Sequence, residues 1–360
     1  MKSLMKGTEA IAEAAIQAGC KYFFGYPITP QNEIPEYMSG RLPEVGGVYL
    51  QAESEVASIN MVMGGASAGY RVMTSSSSPG ISLMSEGISY IAMTELPCVI
   101  VNVSRGGPGL GSIMPAQGDY NQATRGGGHG DYRMVVLTPG NLQEAVSLTQ
   151  DAFDLSQKYR TPVMILVDGF MGQMMESVEI LPRKTETPES NANWALGWRK
   201  ERGGKRAVTY SMLIEPDKLE PHNLHLREKY KLIEANEARY EHYMVGDAEL
   251  LLTSYGTSSR VCRSAIDNLR AEGYKVGMMR PITAWPFPVA GLTKLPGSVK
   301  AILDVEMSVL FQMVDDVRLA LGISPLSRDI PVFTTGRWGG FCPAVREVEE
   351  KCKEVLEEVS

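Results

Sequence analysis

Over the first 180 residues, stretches with apolar positions three and four apart alternate with short, continuously apolar runs. Residues 8–18 place Ile11, Ala14, Ala15 and Ala18 on one helical face, and Gly19 is positioned to end that helix before the aromatic run Tyr22-Phe-Phe. The same alternation predicts helices over 55–68, 83–93 and 142–156, and buried strands over 72–74, 98–103 and 162–168. Helices of this length between short apolar strands predict an α/β unit with a mostly parallel sheet covered on both faces, expected over 1–182. A linker is expected over 183–245, with a polar, turn-rich start at 183–190, a basic run at 198–206 and a charged helix at 224–243 that bridges the units. The basic run reads either as a partner patch or as a solvated connector. A second α/β unit is expected over 246–360, with strands at 249–254, 275–279 and 299–305 and a helix at 258–271. It closes with Val345, Val348, Cys352 and Val355 at helical spacing.

Composition narrows the function classes. A chain of 360 residues with 44% hydrophobic content can bury a sizeable core. Lys plus Arg number 35 against 42 Asp plus Glu, a net charge of −7, so nucleic-acid binding has no electrostatic support. No stretch approaches the roughly 18 apolar residues of a membrane span, and the first residues lack the apolar core of a signal peptide. No membrane association and a cytoplasmic location are therefore expected. Cys20, Cys98, Cys262, Cys342 and Cys352 are widely spaced and include no C-x-x-C pair. A disulfide framework, a zinc site and an iron–sulfur cluster held by this chain alone are not expected.

Candidate chemistry lies in Gly/Ser/Pro-rich segments at 25–33, 74–80, 104–112 and 125–131, where strand ends of an open parallel sheet collect ligands. None completes a nucleotide-binding fingerprint. Glu55 opens a helix, where a carboxylate either complements the helix dipole or, if buried, shares a proton with a heterocycle nitrogen. Glu53 would point to the opposite side of such a helix. Arg105 follows an apolar strand and suits either bidentate pairing with a small carboxylate or a structural salt bridge.

Taken in order, Gly25-Tyr-Pro-Ile-Thr-Pro-Gln-Asn-Glu-Ile-Pro, Gln51-Ala-Glu-Ser-Glu-Val-Ala-Ser-Ile-Asn, Thr74-Ser-Ser-Ser-Ser-Pro-Gly, Val103-Ser-Arg-Gly-Gly-Pro and Arg280-Pro-Ile-Thr-Ala-Trp-Pro-Phe-Pro strongly resemble the alpha subunit of the 2-oxoacid:ferredoxin oxidoreductases. The match spans almost the whole chain and looks closest to the branched-chain (3-methyl-2-oxobutanoate, or 2-oxoisovalerate) type, with the 2-oxoglutarate type a near relative. The resemblance implies a pyrimidine-binding thiamine diphosphate domain, the linker, and a domain similar to the C-terminal domain of transketolase. It implies oxidative decarboxylation of a 2-oxoacid to acyl-CoA and CO2 with reduction of ferredoxin. Glu55 matches the glutamate that hydrogen-bonds the aminopyrimidine. Thr29 matches a substrate-side threonine, and Arg105 the arginine that faces the substrate carboxylate. Pro27 and Ile28 of the same Y-P-I-T-P motif, with Ser77 and Ser78, fall on the cofactor side. The segment 75–80 is more usually written T-S-G-P-G, and serine replaces its inner glycine here.

Thiamine diphosphate enzymes hold the diphosphate through Mg²⁺ with a G-D-G motif, and this sequence has none; Gly118-Asp119-Tyr and Gly130-Asp131-Tyr are incomplete. The resemblance therefore implies that Mg²⁺ and the diphosphate half of the site lie on a beta subunit. It further implies gamma and ferredoxin-like delta subunits, with iron–sulfur clusters on partner chains and coenzyme A and ferredoxin as reactants. A branched substrate needs an apolar pocket, whereas 2-oxoglutarate needs a second cation, for which Arg125, Arg133 and His129 are the available donors. A scaffold subunit without catalytic groups and a self-contained nucleotide-binding enzyme are the competing readings.

Overall fold

The computed structural model describes residues 2–183, 191–324 and 327–360, so most of the expected turn-rich stretch 183–190 lies outside the described residues. The first part of the chain runs β1 (Lys2–Lys6), α1 (Gly7–Gln17), β2 (Tyr22–Gly25), α2 (Glu33–Glu44), β3 (Val48–Gln51), α3 (Glu55–Ser67), β4 (Val72–Ser76), α4 (Ser78–Met93) and β5 (Cys98–Ser104). It continues through α5 (Tyr120–Arg125), β6 (Val135–Leu137), α6 (Leu142–Tyr159), β7 (Pro162–Asp168), α7 (Gly169–Gln173) and β8 (Met175–Glu179). The remainder runs α8 (Pro216–Glu237), β9 (Tyr240–Tyr243), β10 (Leu250–Thr253), α9 (Gly256–Ala271), β11 (Val276–Pro281), β12 (Thr283–Trp285), α10 (Ala290–Thr293), β13 (Ala301–Glu306), α11 (Val314–Ile323), β14 (Val332–Gly336) and α12 (Val345–Glu358).

Strands β5 and β7 are apolar along nearly their whole length and buried at every position, which places them at the centre of a sheet covered on both faces. That sheet has the order β12-β6-β7-β5-β4-β2-β3, and all but β12 run parallel. The smaller sheet has the order β14-β13-β10-β11-β9, parallel except for β9. It carries a separate apolar cluster on each face. The α/β class and the mostly parallel sheets are as expected.

Several local features differ from the sequence expectation. Helix α4 begins at Ser78 rather than 83, because Pro79 occupies the first turn, where a missing N–H costs nothing. Strand β9, from the expected linker, pairs with β11, and β12, from the second half, closes an edge of the first sheet against β6. Helix α8 starts at Pro216 and buries Leu226, Tyr230 and Ile233 against the core of the larger sheet, so the bridging helix belongs to its packing.

The connector caps α3 from behind. Leu196 N–H donates to the Ser67 carbonyl at 2.7 Å, Trp198 Nε1 to Ala68 at 3.2 Å and Asn191 Nδ2 to Gly69 at 2.8 Å. These donors meet carbonyls that a helix end leaves without partners. Arg202 Nη1 in the basic run donates to the Ala192 and Ala195 carbonyls, and Arg199 Nε to that of Gly204, so the run holds its own turns together.

The two sheets are joined at a buried glutamine. Gln117 Nε2 donates to the Tyr255 carbonyl at 2.8 Å, and its Oε1 accepts from Ser258 Oγ at 3.0 Å and Met307 N–H at 2.8 Å. Its own N–H donates to the Met307 carbonyl at 2.9 Å. A second junction is the Arg280 guanidinium, which forms two 2.9 Å bonds to the Glu144 carboxylate and one to Glu241. Gln117→Leu leaves several of these buried groups short of a partner and is expected to lower the unfolding free energy by about 3 kcal/mol in chemical denaturation. A loss below about 1 kcal/mol would show that the freed groups find other partners.

Candidate active site

Six strands of the larger sheet run the same way, so their C-terminal ends form one edge. The segments after β2, β3, β4 and β5 bring Thr29, Glu55, Ser77, Ser78 and Arg105 to that edge.

Glu55 is the first residue of α3, but Ser54 caps the helix, its hydroxyl accepting from Ala57 N–H at 3.2 Å. The Glu55 side chain is 5% exposed and, among the described residues, accepts no hydrogen bond. It lies against the first turn of α4: a Cβ on Gly80 would stand 2.7 Å from Glu55 Oε1 and 2.0 Å from Ser76 Oγ. The carboxylate thus meets the partly positive N-termini of two helices with its lone pairs uncommitted. Glu53 is exposed.

Arg105 is 6% exposed and donates to backbone carbonyls rather than to a carboxylate, Nη1 to Thr29 and Nη2 to Leu110, each at 2.9 Å. Its Nε–H is buried without a partner. Thr29 is half-buried beside it, with Oγ1 accepting from Asn32 Nδ2 at 3.3 Å; Ile28 is half-buried and Pro27 exposed.

The two serines differ. Ser77 and Ser76 each bury a hydroxyl that has no partner among the described residues. Ser78 is fully engaged: its N–H donates to Asn102 Oδ1 at 3.2 Å, and its hydroxyl donates to Asp119 Oδ2 at 2.6 Å while accepting from Arg105 N–H at 2.9 Å. Asn102 Nδ2 also donates to Asp119 Oδ2, at 2.8 Å. Burial raises the pKa of Asp119, and the bonds from Ser78 and Asn102 oppose that rise.

Sequence reasoning missed Asn102, Asp119 and Gln117. Asn102 gave a signal as the one polar residue within the run Cys98-Val-Ile-Val-Asn-Val. Asp119 was visible only as part of an incomplete diphosphate motif. Of the donors considered for a distal carboxylate, Arg125 gives both terminal nitrogens to Asp316, at 2.8 and 3.0 Å. Arg133 Nη1 donates to the Arg125 carbonyl, and His129 is exposed.

A protonated or hydrogen-bonding heterocycle fits this edge: Glu55 offers a free acceptor, the bare Gly80 backbone lets Glu55 and Ser76 approach the start of α4, and the Ser76 and Ser77 hydroxyls have no partner among the described residues. The rim is apolar. Leu110, Ile113 and Met114 are exposed beside Arg105, and the loop carrying exposed Trp338 and Phe341 abuts them, since a Cβ on Gly340 would stand 2.4 Å from Met114 Cβ. Large exposed apolar side chains grouped in this way mark a contact surface.

The family model "Pyruvate flavodoxin/ferredoxin oxidoreductase, thiamine diP-bdg" matches residues 13–245, and "Pyruvate:ferredoxin oxidoreductase core domain II" matches 248–348. The chain is 49% identical over 352 residues to the ketoisovalerate oxidoreductase subunit VorB of Methanothermobacter thermautotrophicus, covering 98% of this chain and 97% of that protein. It is 37% identical to the 2-oxoglutarate synthase subunit KorA of Methanocaldococcus jannaschii over 87% of this chain and 91% of that one. Among solved structures, the 2-oxoglutarate:ferredoxin oxidoreductase from Magnetococcus marinus, with 2-oxoglutarate, coenzyme A and succinyl-CoA bound, superposes with a TM-score of 0.85 at 28% identity. The match covers 98% of this chain and 65% of that chain. A split-gene transketolase shares the fold, with a TM-score of 0.60 at 14% identity. The fold and both family models define an α/β chain of the thiamine diphosphate-binding class. This chain belongs to the 2-oxoacid:ferredoxin oxidoreductase family, as a subunit of the alpha type that works with partner subunits.

Gly80→Ala forces Glu55 and Ser76 apart and is expected to weaken thiamine diphosphate binding by the assembled enzyme roughly tenfold or more in calorimetry. Gly64, exposed on α3 with nothing within 4 Å of an added Cβ, is the control: Gly64→Ala should leave binding unchanged and stabilise the chain by about 0.5–1 kcal/mol. Equal effects of the two substitutions would show that the close approach at Gly80 plays no part in the site.

Proposed function

We propose that this chain is the pyrimidine-holding, substrate-facing subunit for oxidative decarboxylation of 3-methyl-2-oxobutanoate to acyl-CoA and CO2, with electrons passing to ferredoxin. The buried Glu55 carboxylate, free of hydrogen bonds and pressed against Gly80, carries the reading. Thiamine diphosphate, when bound, supplies the electron sink that decarboxylation of a 2-oxoacid requires. With that cofactor bound, Glu55 would be the residue to share a proton with a ring nitrogen and so set the protonation of the heterocycle. Pro27, Ile28 and Ser77 line the same edge, and the Ser77 hydroxyl is available to the ligand. Arg105, steadied by the Thr29 and Leu110 carbonyls, presents its remaining N–H groups to the substrate carboxylate, with Thr29 beside it.

A beta subunit supplies Mg²⁺ and the diphosphate contacts, and the apolar rim at Leu110, Ile113 and Met114 is the surface it covers. The iron–sulfur clusters belong to partner chains of gamma and delta type. Cys20, Cys98 and Cys352 are buried, and burial pushes each thiol up to about 12. The VorB relative, at 49% identity, and the engagement of Arg125 by Asp316 support a branched apolar substrate. The KorA relatives, at 35–38% identity, support 2-oxoglutarate as the alternative.

Glu55→Gln in the assembled complex is expected to lower turnover by roughly a hundredfold or more while leaving assembly intact. Unchanged oxidation of 2-oxoacids by that variant sinks the assignment. Comparing kcat/KM for 2-oxoisovalerate, 2-oxoglutarate and pyruvate should rank the branched acid first; a preference for 2-oxoglutarate selects the alternative.

A further inference from the structure

We propose that Asp119 is a positioning residue for Arg105, acting through the Ser78 hydroxyl. The inference rests on the reading that Arg105 faces the substrate carboxylate. A serine hydroxyl has a single proton, and here it goes to Asp119 Oδ2 at 2.6 Å. That commitment turns a Ser78 lone pair toward the Arg105 N–H, which donates to it at 2.9 Å. The next acceptor within reach of the same hydroxyl is the Arg105 carbonyl at 3.4 Å. Without Asp119 the proton turns to that carbonyl, and the hydroxyl then pulls on both sides of the residue it had oriented from one. The Arg105 backbone shifts, and with it the guanidinium held against Thr29.

Asp119 is itself fixed from several directions. Asn102 Nδ2 donates to the same oxygen at 2.8 Å, and Gln117, two residues earlier, is clamped to the second sheet. The charged and titratable groups facing Asp119 are Arg105 from the end of β5, Asp168 from the end of β7 and Tyr255 from the turn before α9. Asp119, Asp168, Gln117, Ser104 and Tyr255 enclose a cavity of about 10 Å³, room for one water. Arg105 is the cation of this group, and its charge opposes the rise that burial imposes on the Asp119 pKa.

The test uses the complex assembled with its partner subunits and the variants Asp119→Ala, Asp119→Asn, Ser78→Ala and the double alanine. Each alanine variant should raise KM for the 2-oxoacid roughly tenfold while lowering kcat less than about threefold, and thiamine diphosphate affinity should stay within about threefold. The double variant should raise KM no further than the larger single one, because both remove one link. Asp119→Asn keeps a side-chain oxygen that can accept the Ser78 proton, so it should assemble and hold KM within about threefold of the wild type. An unchanged KM in Asp119→Ala overturns the proposal, as do a KM in Asp119→Asn raised as far as in the alanine variants, multiplying effects in the double variant, or a loss of cofactor affinity parallel to the rise in KM. A wild-type complex inactive on every 2-oxoacid overturns the functional reading and this proposal with it, whereas an active one whose KM survives the substitutions overturns this proposal alone.

Discussion

Gln117 stands where the loop after β5 meets the turns before α9 and after β13, and it bonds both with its side chain while bonding the second with its backbone. In a buried setting each of those groups would be costly to leave unmet, so the loop from Arg105 to Asp119 has its far end fixed by a different sheet from the one that starts it. The near end is fixed by Ser78 and Asn102. A segment rich in glycine thereby acquires a defined course without regular secondary structure. Asp168 reinforces the junction from the next strand, accepting from Thr257 Oγ1 at 2.9 Å at the start of α9.

The fold was largely legible because its central strands are apolar end to end and its helices keep a 3.6-residue period. What escaped had physical reasons. Helix α2 carries Pro35 and Pro43, and β12 and β6 are three residues each, too short for a period to register. Strand β9 reads as the tail of a charged helix, yet its backbone is recruited by the free edge of β11. Tertiary pairing overrode local pattern at these places.

At the site, motifs singled out Glu55, Thr29 and Arg105 as candidates, and residue types alone left Glu55 and Arg105 each with a bland alternative. Ser54 in the capping position and the Thr29 and Leu110 carbonyls on Arg105 describe the surroundings of these residues, and neither follows from spacing. Asp119 and Gln117 were illegible because their partners lie far away in sequence: 41 residues separate Asp119 from Ser78, and 190 separate Gln117 from Met307. Polar side chains that work by meeting distant partners leave no periodic trace.

The exchange of short strands between the sheets bears on how the chain could be divided. Cutting anywhere between β9 and β12 strips both sheets of an edge strand, because β9 leaves with the first fragment and β12 with the second. The exposed edge of β6 or β11 would then offer unpaired N–H and C=O groups to any passing strand. The two halves are therefore interlocked rather than strung together. Gene fission, domain shuffling or recombinant truncation in this region would tend to produce sticky fragments rather than working modules, so inheritance of the chain as one piece has a structural rationale.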